Sequence, residues 1–274
     1  MSPDKSPMPL SPAYFLSPGM DEKLARISKI LSTAAGIDAT LTLVGYGLFL
    51  VGSQIPKLEK LQLKALTHGN SSAATRKAGF AAFLKLADLE SGAKALASMC
   101  SDFRTFTRLW GMLGVYAMAK RQSLNSPPDG LLRAISYTQT LSLGLYYFHE
   151  NVYYLAGKGV LKGWAPADIK RWAKISMKMF LAFVLMEHVR LYRARQLRLA
   201  RKQAARSGGL SDAEGKEFAY EGAAWKKSAL MNLAYTPLAV HWASKNGILT
   251  DGVIGALMSY IGWTKVKSAW AAAA

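Results

Sequence analysis

Four histidines, one cysteine and two arginines a helical turn apart are the residues through which this chain could do chemistry. His149-Glu150 begins like a zinc-binding HExxH helix, but Tyr153 stands where the second histidine ligand has to be. Gly157-Lys158-Gly159-Val160 sets a lysine among glycines. It lacks the hydroxyl residue after the lysine and the upstream glycine spacing that cradle a phosphate. His68, His149, His188 and His241 are scattered, and no cluster of acids accompanies them. Cys100, being single, can make neither an intrachain disulfide nor a thiolate zinc site. No catalytic constellation, cofactor or metal is expected.

The arginines are more informative. Arg104 and Arg108 stand four apart, so on a helix they lie side by side and suit capture of a phosphate or an acidic side chain. Beside them Met99, Phe103, Phe106, Trp110, Leu113 and Ala117 follow a 4-3-4-3-4 spacing. Such an apolar stripe needs a cover, either the protein's own core, a partner helix or lipid. A second basic segment carries Arg190, Arg193, Arg195, Arg198, Arg201, Lys202 and Arg206 with no acid among them. It reads either as a solvated helix face or as a stem that meets anionic headgroups. Trp225, Trp242, Trp263 and Trp270 bracket the last apolar stretch together with Lys226, Lys227, Lys265 and Lys267, as membrane-interface anchors do. Tyr146, Tyr147, Tyr153 and Tyr154 cluster in the same manner, although tyrosines also fill helical cores.

The elements that must position these residues are helices. Apolar residues recur at helical spacing, with no strand alternation of useful length. Breaks are expected at Pro56, His68 to Ser72, Asn125 to Pro128, Gly163 to Pro166, Ser207 to Gly209 and Asn246-Gly247, leaving about six or seven helices. One of them runs from about Ala73 to Arg121. The class is therefore all-α, a membrane-associated bundle ending in an apolar hairpin with arms at Ser228 to Ser244 and Gly252 to Thr264. Ala39 to Pro56 and Ala134 to Gly157 are the other apolar stretches with few charges. Met1 to Gly19 holds five of the ten prolines and four Ser-Pro pairs, at Ser2, Ser6, Ser11 and Ser17. It reads as a disordered tail open to proline-directed kinases, without the pattern of a signal peptide, ahead of a single domain over 20–274.

Composition points to the partner. The chain has 274 residues, 51% of them hydrophobic, and 35 basic against 17 acidic residues give a net charge of +18. An anionic partner follows, and the interleaved apolar segments favour lipid over nucleic acid.

Four segments carry a resemblance. Ser101-Asp102-Phe103-Arg104-Thr105-Phe106-Thr107-Arg108-Leu109-Trp110 resembles the R-T-x-x-R-L helix of the peroxin-11 family. Gly144-Leu145-Tyr146-Tyr147 through His149-Glu150-Asn151-Val152 is similar to its D-x-x-Y-Y-x-x-E-H helix, with the His-Glu order reversed. Asn232-Leu233-Ala234 through His241-Trp242 resembles its N-L-A-D-x-x-x-A-x-H-W segment, with Tyr235 in place of the acid. Gly255 to Ile261 resembles its apolar C-terminal helix. The likeness runs from about Asp21 to Trp270, and the order of motifs is closest to the gamma branch. It implies a peroxisomal membrane protein that remodels and elongates the organelle and promotes its division. It also implies cytosolic termini, association with itself or family paralogues, and contact with a fission adaptor and a dynamin-related GTPase. A solute channel and an adaptor that recruits without bending are the alternatives.

Overall fold

The computed structural model describes residues 18–68 and 73–273. Eight α-helices follow one another: α1 (Pro18–Leu31), α2 (Ala34–His68), α3 (Ala73–Thr107), α4 (Gly111–Leu124), α5 (Gly130–Gly157), α6 (Pro166–Ser207), α7 (Asp212–Ala243) and α8 (Asp251–Ala272). A 3₁₀ turn, Arg108–Trp110, joins α3 to α4. No strand occurs among the described residues, and the class is all-α as expected. Met1 to Ser17, the greater part of the Ser-Pro tail, lies outside the described residues, as do Gly69 to Ser72.

Local chemistry explains the helix starts. Asp129 caps α5 by accepting the Leu132 amide at 2.9 Å. Ser211 and Glu214 form a reciprocal capping box at the start of α7. Pro166 opens α6, where its missing amide costs nothing, and Asp168 sits in the first turn against the positive end of the helix dipole.

The helices sort into two groups of three. α2 lies between α3 and α8, while α6 lies between α5 and α7, with α4 resting on α5. The first group depends on small residues. A Cβ placed on Gly255 would stand 2.8 Å from the Leu50 backbone, and one on Gly262 would stand 2.7 Å from that of Leu43. The order of these contacts makes α8 antiparallel to α2, and only glycine lets the backbones come so near. On the other side α3 presents buried Ala93, Ala97 and Cys100 to α2. The groups join at a core formed by Ala234 and Leu238 of α7 with Ile254, Met258 and Ile261 of α8, against which Tyr46, Phe49 and Trp242 pack.

Three expectations need correction. Pro56 does not break α2, which continues to His68, because packing against α3 and α8 outweighs the lost amide hydrogen bond. The long helix expected over Ala73 to Arg121 is two helices, divided by the 3₁₀ turn. The C-terminal arms are longer than expected, at 32 and 22 residues, and each packs mainly on another helix, α7 on α6 and α8 on α2.

Among the described residues, α2 is the one helix long and apolar enough to cross a membrane. Its span, Ala34–Lys64, has a mean hydropathy of 1.6, and only 22% of its apolar window is buried within the protein.

Candidate functional site

The buried face of α3 ends in charge. After Ala93, Ala97 and Cys100 the next inward position is Arg104, which is only 9% exposed. Its Nε donates to Asp38 Oδ1 at 2.9 Å, and Lys265 Nζ reaches the other oxygen of the same carboxylate at 3.1 Å. The guanidinium also lies 5.7 Å from the centre of the Tyr46 ring. One residue each from α2, α3 and α8 thus meets in a single ion cluster.

Arg108, one turn later, faces the other helix group. From the 3₁₀ turn its Nε and Nη2 donate to the two carboxylate oxygens of Glu150 on α5, at 2.7 and 2.8 Å. Glu150 is 1% exposed and also accepts from the Tyr146 hydroxyl at 2.9 Å. Burial by itself would lower the Arg108 pKa. The Tyr146 and Glu150 oxygens facing the guanidinium outweigh that and hold it above the ordinary arginine value. A fork of this kind fixes direction as well as distance. The last turn of α3 and the 3₁₀ turn that follows it therefore fasten the two halves of the bundle, Arg104 to the α2 and α8 side and Arg108 to α5.

Of the two kinds of partner expected for Arg104 and Arg108, a phosphate or an acidic side chain, the structure places acidic side chains of the protein itself, Asp38 and Glu150, against the inward-turned guanidinium groups. Their apolar neighbours do the opposite. Met99, Phe103, Phe106, Trp110 and Leu113 are between 45% and 67% exposed, so this stripe is not core. Phe106 and Trp110 touch edge to face, their ring centres 5.5 Å apart. Together with Met112 and Tyr116 of α4 they form an uncovered apolar ridge along α3 and α4.

The basic segment of α6 has no acid within it but is partly compensated from outside. Arg190 pairs with Glu187 one turn earlier, Arg193 with Asp129 at the cap of α5, and Arg201 with Glu221 of α7. Arg193 in turn holds the Asp129 carboxyl below the usual carboxylate range, and the Leu132 amide adds to the effect. Arg195 and Arg198 stack over Trp225, at 5.6 and 5.9 Å from its ring. Among the described residues Arg195, Arg198, Lys202 and Arg206 have no carboxylate partner.

Of the four expected anchors only Trp263, at 57% exposure, presents its ring outward. Trp225 is held on α6, its indole nitrogen donating to the Leu191 carbonyl at 2.9 Å. Trp242 packs on the core, and Trp270 is half-buried under Arg26. Of the tyrosines, Tyr146 is in the network and Tyr154 donates to Asp102.

Two contacts that sequence reasoning missed shape the α7 to α8 turn. His241 Nδ1 accepts the Ile248 and Leu249 amides, both at 2.9 Å, across a turn in which Gly247 has a φ of 69°. Lys174 of α6 donates to the Trp242 and Ser244 carbonyls at the end of α7. The His-Trp pair was the available signal, although nothing in it announced a cap.

Residues 80–270 match the family model described as Peroxisomal biogenesis factor 11 (PEX11). The chain belongs to the PEX11 family. It is accordingly a peroxisomal membrane protein involved in peroxisome proliferation, and its family is one of biogenesis factors. The match takes in all of the ion network except Asp38, together with the whole apolar ridge. α1 and α2 precede it. No curated protein and no solved structure matches the chain.

Proposed function

We propose that this PEX11-family protein elongates the peroxisomal membrane by wedging one leaflet, and so prepares the organelle for division. The observation that carries the reading is the ridge Met99, Phe103, Phe106, Trp110 and Leu113, left bare while Arg104 and Arg108 beside it are turned inward. A ridge held this way cannot be covered by its own helix group, and lipid is the solvent that suits it. Moving each half-exposed side chain of this size into acyl chains yields roughly 1 kcal/mol or more. The uncompensated Arg195, Arg198, Lys202 and Arg206 hold the protein to anionic headgroups, and α2 supplies the apolar span. Insertion expands the leaflet that it enters, and repeated copies add their curvature.

In this reading the chain forms homo-oligomers or pairs with family paralogues, keeps its termini in the cytosol, and meets a fission adaptor and a dynamin-related GTPase. The gamma branch rests on the order of motifs and on His241-Trp242. Purified full-length protein added to anionic liposomes loaded with a self-quenched dye tests the mechanism. Tubules without dye release are expected. Release without tubules favours the solute channel, and neither effect favours an adaptor that only recruits.

A further inference from the structure

The two helix groups do not close on each other completely. Between them runs a cleft of about 1200 Å³, larger than the roughly 300–1,000 Å³ of a small-molecule site. One wall is the ion network. The other is apolar and aromatic, with Met177, Phe180, Trp242 and Met258. The Phe180 ring lies 5.9 Å from that of Tyr235 and 6.4 Å from that of Trp242, so this wall is continuous.

Charge in the cleft does not balance. Five cations, Arg104, Arg108, Lys174, Lys245 and Lys265, face two carboxylates. Glu150 is taken by Arg108, and Arg104 and Lys265 share Asp38. Among the described residues Lys174 rests on main-chain carbonyls, at 3.0 and 2.5 Å, and on no carboxylate. Lys245 is exposed at the mouth and has no carboxylate partner among the described residues. Gathering cations in a partly dry cleft is unfavourable unless an anion joins them.

We propose that the cleft holds one anionic phospholipid, its phosphate toward Lys174 and Lys245 and its acyl chains along Met177, Phe180, Trp242 and Met258. The excess positive charge selects against a zwitterionic lipid. The size and apolar wall select against a small free anion. Bound there, the lipid spans the gap between the helix groups and reinforces the fastening made by Arg104 and Arg108. Phe103 and Trp110 of the ridge also line the cleft, but lipid binding in detergent involves no membrane bending, so failure of this site and failure of the bending reading are distinguishable.

The test uses full-length protein purified in detergent, stripped of lipid and titrated with fluorescent phosphatidic acid. Fluorescent phosphatidylcholine is the zwitterionic arm and inorganic phosphate the competitor. Phosphatidic acid is expected to saturate at one per chain and to bind about tenfold more tightly than phosphatidylcholine. Lys245→Glu is expected to weaken it about fivefold, by removing one headgroup charge and adding an opposing one. Gly114→Phe adds a ring to the cleft at a position where a Cβ meets nothing within 4 Å, and it is expected to abolish binding with the melting temperature unchanged. Equal binding of the two lipids, an unaffected Gly114→Phe variant or an unaffected Lys245→Glu variant would each overturn the proposal. Displacement by millimolar inorganic phosphate would do so as well, by showing that phosphate alone fills the site.

Discussion

Arg108 and Glu150, 42 residues apart in sequence, meet in a two-pronged ion pair with a carboxylate that is almost wholly buried. The pair crosses from the α3–α4 junction to α5, and Arg104 one turn earlier holds the opposite helix group through Asp38. The ridge on the outer face of α3 is presented by a helix anchored from behind.

Removing one member of that pair strands the other. Arg108→Ala is expected to cost about 3–5 kcal/mol, because Glu150 would stay buried without its cation, left with the Tyr146 and Tyr153 hydroxyls. Arg108→Lys is expected to recover only part of this, since an ammonium cannot engage both oxygens as the fork does. Denaturant unfolding in detergent, followed by circular dichroism, measures both. A loss below about 1 kcal/mol for Arg108→Ala would place the pair among the weak surface bridges.

The approach of α8 to α2 tolerates no side chain at Gly255 or Gly262. Gly262→Ala puts a methyl 2.7 Å from the Leu43 backbone and is expected to cost about 1–3 kcal/mol by forcing the helices apart. Gly47→Ala, on α2 one turn from Leu43, meets open space, and it is expected to be neutral or slightly stabilising. Thermal unfolding of the two variants, compared side by side, gives the contrast.

The α7 to α8 turn depends on one ring nitrogen. His241→Ala leaves the Ile248 and Leu249 amides without their acceptor, which is expected to speed their hydrogen exchange and to cost about 1–3 kcal/mol. Exchange mass spectrometry over residues 244–252 reads this directly, with the α5–α6 segment as the unaffected control.

Acid should loosen the contact between α5 and α6. The folded Asp129 carboxyl titrates below its usual value because Arg193 and the Leu132 amide favour its charged form. Stability from this group is therefore complete above the unfolded value of about 3.9 and is lost as pH falls through the lower folded value. Asp129→Asn is expected to lower stability at pH 6 and to flatten the dependence below about pH 4. Unfolding midpoints of both proteins between pH 3 and 6 check the sign.

What could be read in the sequence divides by distance along the chain. The helices, and the breaks at Asn125 to Pro128, Ser207 to Gly209 and Asn246-Gly247, follow from local spacing and local breakers, and the structure agrees. The side-by-side placement of Arg104 and Arg108 follows in the same way. Their partners do not, since Asp38 is 66 residues before Arg104 and no short window contains both. The same holds for the α6 arginines, whose acids Asp129 and Glu221 come from other helices. A 4-3-4-3 stripe announces an apolar face but not what covers it, so its exposure had to come from the packing. Pro56 failed as a break because its neighbours are remote helices, absent from any local rule.

Peroxisome length, measured in cells expressing either wild type or a Phe103→Ser, Phe106→Ser, Trp110→Ser triple variant at equal level, tests the central claim most directly. These side chains face outward, so the variant should fold and reach the peroxisomal membrane as wild type does. Wild type is expected to lengthen peroxisomes into tubules, while the variant leaves them round. Tubules of wild-type length from a variant resident in the membrane would contradict the account, because the ridge would then have no part in bending.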